Sequence, residues 1–69
     1  MSTLKTRIKE YRTKSDMKQD TLAELANVRR ETITRIEKGK YNPSLKVAMD
    51  IAKVFGVPVE ELFSFEEDT

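Results

Sequence analysis

Residues 17–40 read Met17-Lys18-Gln19-Asp20-Thr21-Leu22-Ala23-Glu24-Leu25-Ala26-Asn27-Val28-Arg29-Arg30-Glu31-Thr32-Ile33-Thr34-Arg35-Ile36-Glu37-Lys38-Gly39-Lys40. Two short apolar sets stand in this stretch. The first, Leu22, Ala23, Leu25 and Ala26, predicts a helix over residues 19–26. Met17 and Leu22 fall just before its cap and at its fourth position, where a hydrophobic staple fixes the incoming chain. Asn27 follows, and asparagine tolerates the left-handed conformation better than most residues with a Cβ, so it can turn the chain sharply. Val28, Ile33 and Ile36 form the second set. They predict a helix that starts at Arg29 or Arg30 and ends at Lys38, with Gly39 as its stop. If Ile33 and Ile36 point inward, Arg30, Glu31, Thr34, Arg35 and Lys38 lie on outer faces.

Working outward, Leu4, Ile8 and Tyr11 are spaced i, i+4, i+7 and predict a first helix, which Lys14-Ser15-Asp16 breaks. On the other side, residues 40–43 form a loop. Ser44 is a good N-cap for a fourth helix over residues 45–55, whose expected buried stripe is Leu45, Ala48, Ile51, Ala52 and Phe55. Gly56 ends it, and Pro58 suits the first turn of a short fifth helix reaching Leu62 or Phe63. The expectation is an all-α five-helix bundle over residues 1–63, with 64–69 as a short acidic tail. Phe63-Ser64-Phe65 alternates as a short strand would, and it could pair with the N-terminal residues. Two short helices joined around Asn27 make a helix-turn-helix pattern, whose second helix can lie in a DNA major groove.

Composition narrows the function. The 69 residues make one domain, and a chain of that size buries only about 60% of its unfolded surface, so a deep catalytic cleft is not expected. There are no cysteines and no histidines, which removes disulfides, thiolate metal sites and the commonest general base. No cofactor, metal or small-molecule ligand is implied, and binding is favoured over catalysis. The carboxylates Glu60, Glu61, Glu66 and Glu67 are contiguous and read as a solvated end rather than a cation site. With 38% apolar and 36% charged residues the chain is too apolar for a disordered tail and too charged to span a membrane. No apolar stretch follows Met1-Ser2-Thr3-Leu4-Lys5, so no signal peptide is read and a cytoplasmic protein is expected.

The net charge of +1 hides an asymmetry. Residues 1–40 carry eleven Lys/Arg against six Asp/Glu, a balance of +5, and residues 41–69 carry two against six, a balance of −4. Such a split suits one end facing a polyanion. On the third helix, Arg30, Glu31, Thr34 and Arg35 are polar groups able to reach base edges: arginine can bind guanine O6 and N7 bidentately, and glutamate can accept from cytosine N4. The competing reading is a solvated face with a Glu31–Arg35 i,i+4 ion pair.

Residues 17–40, the loop Lys40-Tyr41-Asn42-Pro43-Ser44-Leu45 and the ending Ile51-Ala52-Lys53-Val54-Phe55-Gly56-Val57-Pro58-Val59-Glu60-Glu61-Leu62-Phe63 closely resemble the phage-repressor/Cro-type helix-turn-helix family, also called the XRE family. The resemblance covers roughly residues 5–63 without a gap across the two helices and the loop. It implies a sequence-specific DNA-binding transcriptional regulator, a repressor, with helix 3 as the recognition helix and Arg30, Glu31 and Arg35 at its base-reading positions. Gln19 opens helix 2, where the family's glutamine meets the DNA backbone and can brace the recognition helix. Lys18 and Arg29 replace the family's frequent Ser or Thr caps. That exchanges a cap for a cation at a helix start, where free N–H groups can receive phosphate. Lys38, Lys40, Tyr41 and Asn42 match the segment that touches flanking phosphates. Asn27 replaces the more usual Gly. Arg12 and Glu37 match a structural ion pair joining helix 1 to the end of helix 3.

One recognition helix covers few base pairs, so a homodimer on a palindromic double-stranded operator is expected, with half-sites about 34 Å apart. Its surface would lie away from the basic helices, at Val59, Phe63 and Phe65, unless Phe63 merely closes the core. The alternative function is an antitoxin-type module that binds DNA and a protein. It is the weaker reading, because only a few residues follow Phe63.

Overall fold

The computed structural model describes residues 2–67. In chain order the elements are β1 (Ser2–Thr6), α1 (Ile8–Lys14), α2 (Gln19–Leu25), α3 (Arg30–Glu37), α4 (Leu45–Phe55), α5 (Val59–Leu62) and β2 (Phe63–Glu67). Ile8, Leu22, Ile33, Ile36, Ile51 and Leu62 are fully buried, so every helix sends at least one large apolar side chain to a common core. Each such burial stabilises by about 1.5–3 kcal/mol. Met17 packs against this core just ahead of α2, with Leu22 at the helix's fourth position, in the placement a staple requires.

Four helices end in the same way. A residue at the end of the last turn takes the left-handed conformation, Asp16 (φ 54°), Asn27 (58°) and Gly39 (71°) just past the cap and Gly56 (67°) as the cap itself. In each case its N–H and the next N–H bond back to carbonyls of the last turn, as in Asn27 to Glu24 and Val28 to Ala23, or Gly39 to Ile36 and Lys40 to Arg35. This is the Schellman arrangement, which satisfies carbonyls the helix would leave open. At the starts, Ser44 Oγ accepts from the Val47 amide at 3.2 Å, whereas Lys18 and Arg29 make no side-chain cap.

Several expectations need correction. Leu4 is buried, but from β1 and not from a first helix, which begins only at Ile8. β1 pairs antiparallel with β2, Leu4 opposite Phe65 and Thr6 opposite Phe63, so the chain is not all-α. The strand allowed for Phe63-Ser64-Phe65 and its pairing with the N-terminal residues are realised, though only Phe63 of β2 is drawn inward, and of the tail Asp68 and Thr69 lie outside the described residues. Leu45 is 73% exposed rather than part of the buried stripe. It is the first helical residue after the cap, and Val47 takes the inner side of that turn. Pro58 caps α5 and does not enter its first turn.

The sheet is fastened at both margins. Arg7 N–H donates to the Leu62 carbonyl at 2.9 Å. By the alternation of antiparallel pairs, Leu4 then turns its carbonyl away from β2. That carbonyl meets the turn after α3: a Cβ at Gly39 would lie 2.9 Å from the Leu4 oxygen. At the other end of the sheet, where α1 begins, Arg7 reaches Glu61 at 3.3 Å and Tyr11 Oη donates to the same carboxylate at 3.1 Å, tying α1 to α5. The hydrogen bonds and charge of Arg7 hold the Glu10 carboxyl below the usual carboxylate range. The bond to Glu61 raises the Tyr11 hydroxyl.

Candidate nucleic-acid interface

α3 follows α2 after a turn of four residues and packs on it through Ile33 and Ile36, both fully buried. That fixes what α3 can show outward. Arg30, Glu31 and Arg35 are exposed. Glu31 and Arg35 form no ion pair with each other among the described residues, so the solvated-pair arrangement is not the one adopted. Thr34 is half-buried. Its hydroxyl donates toward Gln19 Oε1 and the Arg30 carbonyl, each at 3.2 Å.

Behind this face runs one polar network. Arg12 grips Glu37 with two bonds, Nε to Oε2 at 2.8 Å and Nη2 to Oε1 at 3.2 Å. Its Nη1 donates to the Met17 carbonyl at 2.9 Å, just ahead of α2. Gln19 Nε2 donates to Glu37 Oε1 at 3.1 Å, and its oxygen accepts from Thr34. The side chains of Arg12 and Glu37 are only 14% and 7% exposed, and no buried side-chain polar atom among the described residues lacks a partner. Helices α1, α2 and α3 are thus locked at one junction. The amide of Gln19 is committed to α3 on both of its atoms.

Most lysine and arginine side chains divide by place, Lys53 on α4 being unpaired among the described residues but apart from the rest. Lys5, Arg7, Arg12, Lys14, Arg30 and Lys46 pair with carboxylates. Lys18, Arg29, Arg35, Lys38 and Lys40 have no carboxylate partner among the described residues, and all lie at the start of α2, along α3 or in the turn after it. Tyr41 and Asn42 continue this strip and are exposed. Two residues that sequence reasoning passed over belong here. Lys9, also without a carboxylate partner, lines a groove with Arg12, Gln19, Thr34, Glu37 and Lys38. Asp20 pairs with Arg30 at 3.5 Å. Neither is signalled in sequence, because each meets the face only through the helix junction.

Of the three candidate dimer residues, Val59 and Phe63 are half-buried against the core, and Phe65 is 56% exposed. Val59 also borders a shallow groove with Met49, Val57 and Pro58. No group of three or more acidic, histidine or cysteine residues among those described is placed to hold a metal ion. None of the helices described is long and apolar enough to cross a membrane.

Comparison with known proteins agrees with this geometry. Residues 8–62 match the helix-turn-helix family model. The chain is 55% identical over 65 residues to an uncharacterized HTH-type transcriptional regulator of Archaeoglobus fulgidus, covering 94% of this chain and 92% of that one. It is 34% identical to the cryptic phage CTXphi transcriptional repressor RstR of Vibrio cholerae, covering 88% of this chain and 55% of the repressor. Among solved structures it is similar to the restriction-modification controller protein C.AhdI of Aeromonas hydrophila, with TM-score 0.75 and 31% identity over 80% of this chain and 83% of that one. A helix pair locked at its turn, an exposed polar α3 and a match across nearly the whole chain lead to one conclusion: the protein belongs to the XRE-type helix-turn-helix family of transcriptional regulators, a family of regulators with a DNA-binding fold and not of enzymes.

Proposed function

We propose that this protein is a cytoplasmic, sequence-specific transcriptional repressor that lays α3 in the major groove of double-stranded DNA. The observation that carries the reading is the distribution of unpartnered cations. Of the seven cations without a carboxylate partner among the described residues, Lys18, Arg29, Arg35, Lys38 and Lys40 lie along α3 and its flanks with Lys9 beside them, where phosphates can replace the missing partners, and Lys53 alone stands apart on α4. Lys18, Arg29, Lys38, Lys40, Tyr41 and Asn42 would hold the backbone, Gln19 would add the second N–H of the amide nitrogen that already donates to Glu37, and the uncapped amides at the starts of α2 and α3 would help. Arg30, Glu31 and Arg35 would read base edges, with Thr34 seated beside them. The likeness to RstR supports repression. Nothing in the comparisons favours the antitoxin-type module.

Selection from random DNA at a fixed salt concentration tests the reading, since it returns the site and its symmetry together. On the selected site, Arg30→Ala is expected to weaken binding by about 1–3 kcal/mol and to relax preference at one base pair. Lys40→Ala is expected to weaken all sequences alike and to lower the salt slope by about 1. Equal loss on every sequence for Arg30→Ala would make that residue a phosphate contact, and an unchanged slope would place Lys40 off the interface.

The reading includes a homodimer on a palindromic site, because one short recognition helix discriminates too little against competing sequences. Val59, Phe63 and Phe65 would form its surface with Met49, which is 55% exposed beside Val59. Sedimentation at micromolar concentration is expected to show a dimer that Phe65→Asp dissociates without loss of helix content. A monomer bound to an asymmetric site would sink the dimer, and a dimer indifferent to Phe65→Asp would move the interface along α4.

A further inference from the structure

Asp20 is a carboxylate beside the strip that carries most of the unpaired cations. Asp20 lies in the first turn of α2, next to Gln19 and close to Lys18, and one groove of the fold is lined by Arg12, Lys18, Gln19, Asp20 and Arg30 together. On a face meant for phosphate, a carboxylate lowers the attraction. The strength of its ion pair does not explain its place either. The Asp20–Arg30 pair is 71% and 64% exposed, and pairs so open to solvent contribute little.

The geometry points to a different role: we propose that Asp20 is a positioning residue that aims the guanidinium of Arg30 at a guanine edge. This rests on Arg30 being a base reader, as proposed above. The contact is made on the Nε edge, with Asp20 Oδ1 3.5 Å from Arg30 Nε. No hydrogen bond engages Arg30 Nη1 or Nη2 among the described residues. The contact is an ion pair and not a hydrogen bond, but guanidinium is planar and rigid, so a carboxylate that draws one edge toward itself biases the plane in which the other presents its paired donors. Those donors are the fork that matches guanine O6 and N7. Asp20 can serve as the fixed point because its neighbour Gln19 is bound to α3 through both Glu37 and Thr34. The carboxylate is therefore registered to the helix whose first residue it steers. An unsteered arginine has several rotatable bonds to freeze when it binds; one already oriented loses less and discriminates more.

The competing role for Asp20 is an acid at a helix start, favoured by the helix dipole whatever Arg30 does. Binding of the full chain to the selected operator, to its single-base variants and to unrelated DNA separates the two, with Asp20→Asn, Arg30→Ala and the double variant compared at one salt concentration. Thermal melting is recorded for each. Asp20→Asn keeps the shape and removes the charge. It is expected to lose about fivefold or more of the discrimination at the base pair where Arg30→Ala loses it. Affinity for unrelated DNA should hold or rise. The double variant should discriminate no worse than Arg30→Ala alone. Full discrimination in Asp20→Asn, with only a lower melting temperature, would overturn the proposal and leave the helix-dipole role. If Arg30→Ala leaves every base preference intact, the base-reading role of Arg30 fails and this proposal fails with it. If Arg30→Ala flattens the preference and Asp20→Asn does not, the steering role alone is lost.

Discussion

Replacing Glu37 with alanine is expected to remove about 3 kcal/mol of folding stability and to lower Tm by roughly 12 °C or more. The carboxylate accepts two bonds from Arg12 and one from Gln19. Without it a guanidinium whose side chain is only 14% exposed keeps its charge and loses its counter-charge, and leaving one member of such a pair alone costs more than the pair ever contributed. Glu37→Gln should cost less, since its amide oxygen still accepts. Changing Arg12 to Met together with Glu37 to Leu should recover much of the loss, because no charge is then left unpaired. Denaturant melts of these variants beside the parent protein give the comparison. A loss below about 1 kcal/mol for Glu37→Ala would show that the pair behaves as a surface bridge. DNA binding gives a second readout: Glu37→Ala frees Gln19, so affinity should fall at temperatures well below the melt.

The second large effect is expected at Gly39. Alanine there meets two penalties. The left-handed conformation costs an L residue about 1–2 kcal/mol, and the new Cβ would sit 2.9 Å from the Leu4 carbonyl oxygen, which is backbone and cannot swing aside. Forcing such a contact apart adds about 1–3 kcal/mol. Gly56 is the internal control, with similar φ and nothing within 4 Å of a built Cβ. Gly39→Ala should therefore destabilise by at least about 1 kcal/mol more than Gly56→Ala. Faster amide exchange in β1 should accompany it. Equal losses at both glycines would mean that the turn after α3 does not press on β1.

Local signals carried the helical part of the fold. Val28, Ile33 and Ile36 repeat at helical spacing, and Asn27, Gly39 and Gly56 mark chain reversals by their own chemistry. β1 is legible only through its partner, the alternating Phe63-Ser64-Phe65, which the sequence already allowed to pair with the N-terminal residues. Leu4, Ile8 and Tyr11 satisfy helical spacing as well as Leu4 satisfies a strand, and the decision falls to a partner at the far end of the chain. Asp16 reads in sequence only as a break, though it takes the same left-handed position as the glycines. For the candidate interface, the inward isoleucines define the outward face. Sequence cannot show which cations on that face already have partners. Arg30 with Asp20 and Arg35 with none look alike until α2 is set against α3.

The β1–β2 ladder joins residues 2–6 to residues 63–67, and this has a consequence for the order of folding. Closing a loop as long as the domain carries a large entropic cost that nothing offsets until the two ends meet, whereas the α2–α3 hairpin closes over a few residues. The ladder should therefore form last, once α5 and α1 have brought its two halves side by side, and it should open first. Its amides are expected to exchange by an opening that leaves the helices intact. The helix pair can then reach its final shape on a nascent chain before the sheet exists, and pulling the ends apart by force would unzip the sheet while that pair still stands.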